Sequence, residues 1–520
     1  MTALLDQLKD GLIVSCQPVD DGPMDTPAIV AAMALAAGAG GARALRVEGA
    51  DNVAAVMQRC DLPVIGIVKR DLADSAVRIT PWLDDVQALA AAGARIIAVD
   101  GTARARPVSV GELLAAIRAT GCLAMADIAT LEEARAARAM GFDIVGTTLS
   151  GYTGGPVPAA PDLQLVADCA ALGGVVVAEG RYNTPALAAA ALTAGATAVC
   201  VGSAVTRQEH VTQWFDTAIA KAAAARERTV LALDIGGTKS LLALVRNGSV
   251  LEERLARTEG PVGTPPWFVA LGALAAGWAG RYDAVGAAVT GRVHDGAWRA
   301  LNPGTLAIPE STPLLDRLRR TFGTAAVLAC NDAQAAAWGE YRFGAGRGRD
   351  TLFLTVSSGI GGGIVRGGAL VTGSTGLAGS VGQLRGPDGQ RFETRASGFG
   401  LSAAARAIGR PDDTRAIFAA DAAGEAWAAE LIAAAAREMA AMLVNLQLLV
   451  DPDVIVLGGG IGLLPAYRRR IEQDLSSSTA PTRPTLVAAA LGTHAGILGI
   501  GDLAAQQSAD DATAGPSLSG

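Results

Sequence analysis

The chain reads as α/β throughout: an N-terminal (β/α)8 barrel followed by a two-lobed domain. Three observations lead there. From Gly11 to about Ala225, short apolar runs alternate with alanine-rich helical stretches in eight successive units. Two glycine-rich hairpins, DIGGTK at 234–239 and SSGIGGGIV at 357–365, each open a strand-rich stretch of the second half. And 520 residues exceed what one core supports, so two or three domains are expected.

The barrel strands read from the sequence are 11–17, 42–47, 63–69, 95–101, 122–128, 142–148, 175–180 and 198–202. Each is apolar on both faces and each is followed by a helical pattern, such as LEEARAARAM from Leu131. Such runs predict parallel strands with right-handed crossovers, and eight of them suit a closed ring. An open doubly wound sheet is the alternative. The boundaries expected are a barrel over 1–225 and a second domain over 229–505, joined at the charged run KAAAARER (221–228). A tail rich in Ala, Ser, Asp and Gly, 506–520, is expected to be disordered.

Composition narrows the classes of function. Only 4% of residues are aromatic while half are hydrophobic, which suits helices packed closely on parallel sheets. A net charge of −7 and the absence of any basic run argue against a nucleic-acid partner. Six dispersed cysteines with no C-x-x-C pair read as reduced thiols of a cytoplasmic protein. The N-terminus places acidic residues ahead of its apolar run, unlike a signal peptide, and no uninterrupted apolar stretch reaches bilayer length, so no membrane partner is expected.

Polar residues in the first half collect at one end. Gln17, Arg46, Lys69, Asp100, Asp127, Thr147, Thr148 and Glu179 all fall at the C-terminal ends of their strands, which in a barrel converge on one mouth. The last two strands run into Glu179-Gly180 and into Gly202-Ser203, with Arg207 following. Glycine amides and an arginine after strands seven and eight are the usual phosphate site of such a barrel, which predicts a phosphorylated small molecule. A lysine among carboxylates (Lys69, Asp127, Glu179) can be a Schiff-base nucleophile or a proton carrier. Proton abstraction beside a carbonyl and aldol chemistry both remain open on that basis. With three histidines in the chain and only His210 in this half, metal catalysis is not expected there.

GLIVSCQ, PVIGIVKRD, MADIAT, GFDIVGTTLSGYT, VAEGRYNTP and VGSAVTR, in that order, resemble the N-acetylmannosamine-6-phosphate 2-epimerases over essentially the whole first half. The resemblance implies interconversion of N-acetylmannosamine 6-phosphate and N-acetylglucosamine 6-phosphate without a cofactor. It implies that Lys69 exchanges the C2 proton with Asp127 and Glu179 assisting, that Gln17 and Arg46 contact the sugar, and that Gly180, Gly202, Ser203 and Arg207 surround the phosphate end.

In the second half, TVLALDIGGTKSLLAL (229–244) is a strand, a glycine turn and a second strand. Its uncovered amides can cradle phosphate, with Asp234 able to hold hydrated Mg²⁺. SSGIGGGIV repeats the device, and VLGGGIG (456–462) adds a third glycine turn after a strand. Two lobes closing on a nucleotide, in the actin-like ATPase manner, are the architecture expected. Asn331-Asp332 follows a strand and opens a helix. As an N-cap it is ordinary; between two phosphate hairpins, Asp332 is a candidate base for a sugar hydroxyl.

DIGGTK, AVTGRV, LNP, NDAQAAAWGE, SSGIGGGIV, ETRASG and VLGGGIG together resemble the ROK family of sugar kinases. That implies phosphorylation of a hexose 6-hydroxyl by ATP and Mg²⁺. Asp332 would be the base, with Asn302, Asn331 and Glu393 on the sugar. Asp234, Gly236, Gly237, Thr238, Lys239, Gly361 and Gly362 would lie along the ATP phosphates, and Gly458 and Gly459 near adenosine. The sequence departs from the family at one place. Where that family has G-E-I-G-H and a cysteine zinc loop, this chain has Gly379-Ser380-Val381-Gly382-Gln383 and then Leu384, Gly386 and Arg391 at cysteine places. No zinc is expected there. Ser380 and Gln383 replace two sugar contacts, which leaves the hexosamine preference open.

The repressors of the same family carry an N-terminal helix-turn-helix where this chain has a barrel. The fused halves therefore suggest consecutive steps, phosphorylation of N-acetylmannosamine and epimerisation of the product, in sialic acid breakdown. The alternatives are a kinase preferring glucose or N-acetylglucosamine, and a kinase lobe turned sugar sensor. A homo-oligomer is expected by resemblance.

Overall fold

The computed structural model describes residues 2–236, 239–257, 262–301, 308, 309, 311–386, 388–477 and 482–513. The chain forms two compact units, Met1–Thr217 and Ala218–Gly520, and their division falls within the helix Gln208–Glu227.

In the first unit eight parallel strands close a ring: β1 Gly11–Cys16, β2 Ala44–Glu48, β3 Val64–Ile67, β4 Ile96–Asp100, β5 Leu123–Asp127, β6 Ile144–Gly146, β7 Val175–Glu179 and β8 Ala198–Val201. β8 pairs with β1 in register Gly11↔Ala198 to Val14↔Val201, so the sheet is not open. Alternate strand residues divide between two cores. Ile13, Ile65, Ile96, Met125, Ile144 and Val177 fill the inside of the ring, where Leu8 of the helix Thr2–Leu8 joins them. Val14, Leu45, Val64, Ile97 and Val145 face the outer helices. Several of those helices start on hydroxyl caps; Ser109 and Thr130 each accept from the third residue on, whose glutamate bonds back to the cap.

The second unit contains two five-stranded sheets of the same order. The strands are β9 Val230–Ile235, β10 Lys239–Arg246, β11 Ser249–Arg257, β12 Ala284–Val289, β13 Arg292–His294, β14 Ala297–Arg299, β15 Val327–Asn331, β16 Thr351–Val356, β17 Ile360–Arg366, β18 Ala369–Val371, β19 Val454–Gly458 and β20 Leu486–Ala488. One sheet runs β11-β10-β9-β12-β15 and the other β18-β17-β16-β19-β20. In each, three strands meander antiparallel and two more add in parallel. That is one plan used twice. The helices Asp332–Phe343 and Ala495–Thr513 cross between the sheets at Gly339 and Gly499, where a Cβ on Gly499 would lie 2.7 Å from the Gly339 amide nitrogen.

One expectation needs correction. The tail expected to be disordered from Gln506 is helical as far as Thr513, because Ala505, Ser508 and Ala509 are buried and Gln506 bonds Asp502 at 2.6 Å. The helix Ala426–Val450 is long and apolar enough, at 25 residues and mean hydropathy 1.3, to pass as a membrane span. Its Ile432, Met439, Leu443 and Leu446 instead belong to the core under β16 and β19, and Glu430, Arg437 and Glu438 break its apolar run.

Candidate active sites

The strand ends of the ring surround a cavity of about 480 Å³. Gln17, Arg46, Lys69, Glu179, Gly180, Gly202, Ser203 and Arg207 all line it. Asp127 does not. It lies fully buried beneath Arg46, whose guanidinium grips it at 2.6 and 3.2 Å and reaches Glu179 at 3.1 Å. The Thr148 hydroxyl sits between the same carboxylates, 2.6 Å from Asp127 and 3.2 Å from Glu179. Space for Asp127 exists because β6 ends in glycine: a Cβ on Gly146 would stand 2.9 Å from its Oδ1.

Burial shifts the titration of Glu179 and Lys69 in opposite directions. It raises the pKa of Glu179; Arg46 opposes the shift, and the neighbouring charge of Asp127 adds to it. Arg46 stays charged, since its two carboxylates outweigh its desolvation. Lys69 moves the other way: burial and then the Arg207 guanidinium lower its pKa, against Asp20 and Glu48. The lysine was expected among Asp127 and Glu179, but the acidic groups acting on it are Asp20 and Glu48, while Asp127 and Glu179 are taken up by Arg46. A carboxyl whose pKa burial raises and an amine whose pKa burial lowers, both lining one cavity, are candidate proton carriers.

The other strand-end residues have structural work. Asp100 binds Arg106, Thr102 and Arg104 and fixes the loop after β4. The Thr147 hydroxyl latches β6 to the backbone of Glu179 at 3.0 Å. Strand-end reading missed Arg78, Arg104, Tyr152, Arg181, Asn183 and Trp214, which line the cavity from loops and from the last helix. The excess of arginine in the loops after β3, β4 and β7 was the available signal.

In the second unit Asp234 is the last residue but one of β9 and Asp332 opens the helix after β15. The start of the C-terminal helix lies against Asp234, for a Cβ on Gly496 would be 3.2 Å from its Oδ2. Burial, then the nearby Asp332 charge, push Asp234 up to about 7, while Lys239 opposes. Burial also raises Asp332, against hydrogen bonds from Thr290 at 2.8 Å and from the Ala333 amide. Asn331 caps this helix through Oδ1, accepting from Ala333 and Gln334, and donates to Gly291. Its side chain thereby positions Asp332.

Gly236 closes its turn by donating to the Lys239 carbonyl at 3.0 Å; Gly237, Thr238 and Asn302 lie outside the described residues. Gly361 and Gly362 are ladder residues of β17, opposite Thr355 and Leu354. A Cβ on Gly361 would meet Ala333 at 2.9 Å, and one on Gly362 the Gly379 carbonyl at 2.6 Å, so close packing alone demands glycine at both. Ser357, Ser358 and Gly359 form the open turn between β16 and β17. Gly458 ends β19 and Gly459 turns back with φ +87° over the Val356 backbone, while the next amide, Gly460, donates to Ser357. Glu393 is nearly buried and takes Arg391 at 3.0 Å and Gln383 at 3.2 Å. Among the described residues no group of three His, Cys, Asp or Glu side chains is placed to hold a metal ion.

The barrel gathers Lys69 and Glu179 around one cavity, and the duplicated-sheet domain brings Asp234 near Asp332, so each unit carries a candidate site. Comparison with known proteins agrees. Residues 30–221 match the NanE family model, described as an N-acetylmannosamine-6-phosphate epimerase, and residues 230–507 match the ROK family. The "Bifunctional enzyme NanE/NanK" of Brucella melitensis is 54% identical over 506 residues, 96% of this chain and 97% of that one. A crystal structure of the N-acetylmannosamine-6-phosphate 2-epimerase from Clostridium perfringens is 41% identical, covering 41% of this chain and 95% of that one at a TM-score of 0.40. A ROK glucokinase from Streptomyces griseus, solved with glucose and AMPPNP, is 31% identical over 54% of this chain and 99% of its own, at a TM-score of 0.47. The chain belongs to the bifunctional NanE/NanK enzymes, and through its second half to the ROK family.

Proposed function

We propose that the protein phosphorylates N-acetylmannosamine with ATP and converts the N-acetylmannosamine 6-phosphate formed into N-acetylglucosamine 6-phosphate, in the cytoplasm, as a step in amino sugar breakdown. The observation that carries this is the 54% identity to a bifunctional enzyme along nearly the whole chain, with candidate groups for both reactions present.

In the barrel, the ring-opened sugar presents a C1 carbonyl that acidifies the C2 proton. Lys69, with its pKa lowered, takes that proton, and inversion is completed by delivery of a proton to the opposite face of C2, from a second protein group or a hydroxyl of the substrate. Glu179, whose pKa burial raises, is the candidate donor to the carbonyl oxygen as enolate charge develops there. Asp127 holds Arg46, and Arg46 holds Glu179. Gly180, Gly202, Ser203 and Arg207 offer amides and a guanidinium to the phosphate, and Gln17 faces the sugar. No cofactor is required for this step.

In the kinase half, Asp332 would accept the proton of the sugar 6-hydroxyl, and Asn331, Asn302 and Glu393 are the residues proposed to contact the sugar. Asp234, Gly236, Gly237, Thr238, Lys239, Gly361 and Gly362 are the residues proposed to serve the phosphates, and Gly458 and Gly459 the adenosine. Two buried carboxylates whose charges repel are suitable oxygen donors toward hydrated Mg²⁺. Bound Mg²⁺·ATP supplies the phosphoryl group. The expected zinc-free condition follows from Gln383, Leu384, Gly386 and Arg391, none of which offers a thiolate or imidazole.

The test is turnover of N-acetylmannosamine, N-acetylglucosamine and glucose, followed by NMR in deuterated water. N-acetylmannosamine with ATP is expected to give N-acetylglucosamine 6-phosphate deuterated at C2. Preference for another sugar would reassign the kinase, and no phosphorylation of any of the three would make that half a sensor. Lys69→Ala is expected to slow C2 exchange by about 10²–10⁴-fold, the usual worth of a positioned acid–base group.

A further inference from the structure

Glu393 opens the short helix Glu393–Ala396, and its side chain is only 8% exposed. Both of its side-chain partners sit on one oxygen. Arg391 Nη1 lies 3.0 Å and Gln383 Nε2 3.2 Å from Oε1. Oε2 accepts no hydrogen bond among the described residues. It faces the open turn between β16 and β17, since a Cβ on Gly359 would stand 3.1 Å from it. A nearly buried carboxylate with one oxygen saturated by donors and the other spare is prepared for one more donor, such as a hydroxyl.

The guanidinium is delivered from a braced segment. Arg385 and Arg391 pair across a single bridge, Phe392 N donates to Leu384 O at 2.7 Å, and Gly386 N to Gln390 O at 2.9 Å. Arg395 ties that segment down by pairing with Asp388 and, at 3.3 Å, with Glu438 of the helix Ala426–Val450. Gln383 approaches from the other side, at the end of the short turn Val381–Gln383. Two elements therefore converge on one carboxylate oxygen.

We infer that Arg391 is a positioning residue for sugar recognition: with Gln383 it pins Glu393 Oε1, so that Oε2 is the oxygen offered to a hexosamine hydroxyl. This rests on the reading of Glu393 as a sugar contact. Because Arg391 pairs with Glu393, the residue read as a sugar contact, its effect is expected to fall on the sugar KM.

Steady-state kinase kinetics of the full chain test this with R391A, R391K, E393Q and R391A/E393Q, varying N-acetylmannosamine and ATP separately. Loss of a charge-assisted partner is expected to raise the sugar KM about tenfold in R391A. The ATP KM and the C2 epimerase rate of the same chain are expected to stay at wild-type values. R391K is expected to recover part of the loss, and the double variant to bind sugar no worse than E393Q. Should R391A melt early, R391K and R391Q carry the comparison. A raised sugar KM in E393Q with R391A within twofold of wild type overturns the positioning role while sparing Glu393. Strictly additive losses in the double variant do the same. An unchanged sugar KM in E393Q removes the reading of Glu393 itself, and the inference with it.

Discussion

Asp234 shows how far one residue's behaviour follows from its surroundings. Its pKa in the nucleotide-free protein stands at about 7, first through burial and then through Asp332. The unfolded chain holds an aspartate near 3.9. Between those values the folded state binds more protons than the unfolded one, so stability falls as pH rises from about 4 to about 7. Thermal melting in a pH series is expected to show that decline, and Asp234→Asn to flatten it. The same proton must leave before the carboxylate can face Mg²⁺·ATP, so kcat/KM for ATP is expected to rise between pH 6 and pH 8. A profile flat over that range would contradict the assignment. Lys69 and Glu179 have displaced titrations as well, and both displacements begin with burial. The strand-end pattern had already singled out these residues. It could not show that Asp127 and Glu179 are held by Arg46 instead of by the lysine.

At the scale of an element, the helix Asp332–Phe343 carries most of the geometry of the second site. Asn331 caps its start, Gly361 and Gly363 let β17 lie directly against it, and Glu340 fastens its end. Glu340 is fully buried, and its carboxylate accepts from the amides of Ala345 at 2.8 Å, Ala490 at 3.1 Å and Leu491 at 2.8 Å. Glu340→Ala would remove a buried side chain and the acceptor it offers to three partly buried or exposed amides, and a loss of about 1–3 kcal/mol is expected in urea unfolding followed by a kinase-half probe. Asn331→Ala is expected to cost about 1 kcal/mol as a lost cap and to lower kcat by displacing Asp332. The cap was legible from the order strand, Asn, helix. The Glu340 staple was not, because its partners at Ala490 and Leu491 lie 150 residues away in sequence.

The whole molecule joins two units with separate cores and separate sites. Independent loss of the two activities is expected from that. Lys69→Ala with ATP and N-acetylmannosamine should accumulate the 6-phosphate of N-acetylmannosamine. Asp332→Ala should epimerise that phosphate when it is supplied, yet make none. Loss of both activities in either variant would mean that the two sites are coupled. Urea unfolding followed at a reporter in each half is expected to give two transitions that do not coincide, since each core melts by its own balance.

The sequence by itself determined the periodicity and the order of elements, and with them the ring, the two matching sheets and the motifs at their strand ends. These are local properties: alternation, glycine turns and caps act over a few residues. Tertiary structure alone decided which charges meet. Arg46 bridging Asp127 and Glu179, Arg391 and Gln383 sharing one oxygen of Glu393, and the burial that turns the last helix from an expected loose tail into a packed element all depend on distances between segments remote in sequence. Electrostatics and burial act through space, and the order of residues along a chain does not encode those separations directly.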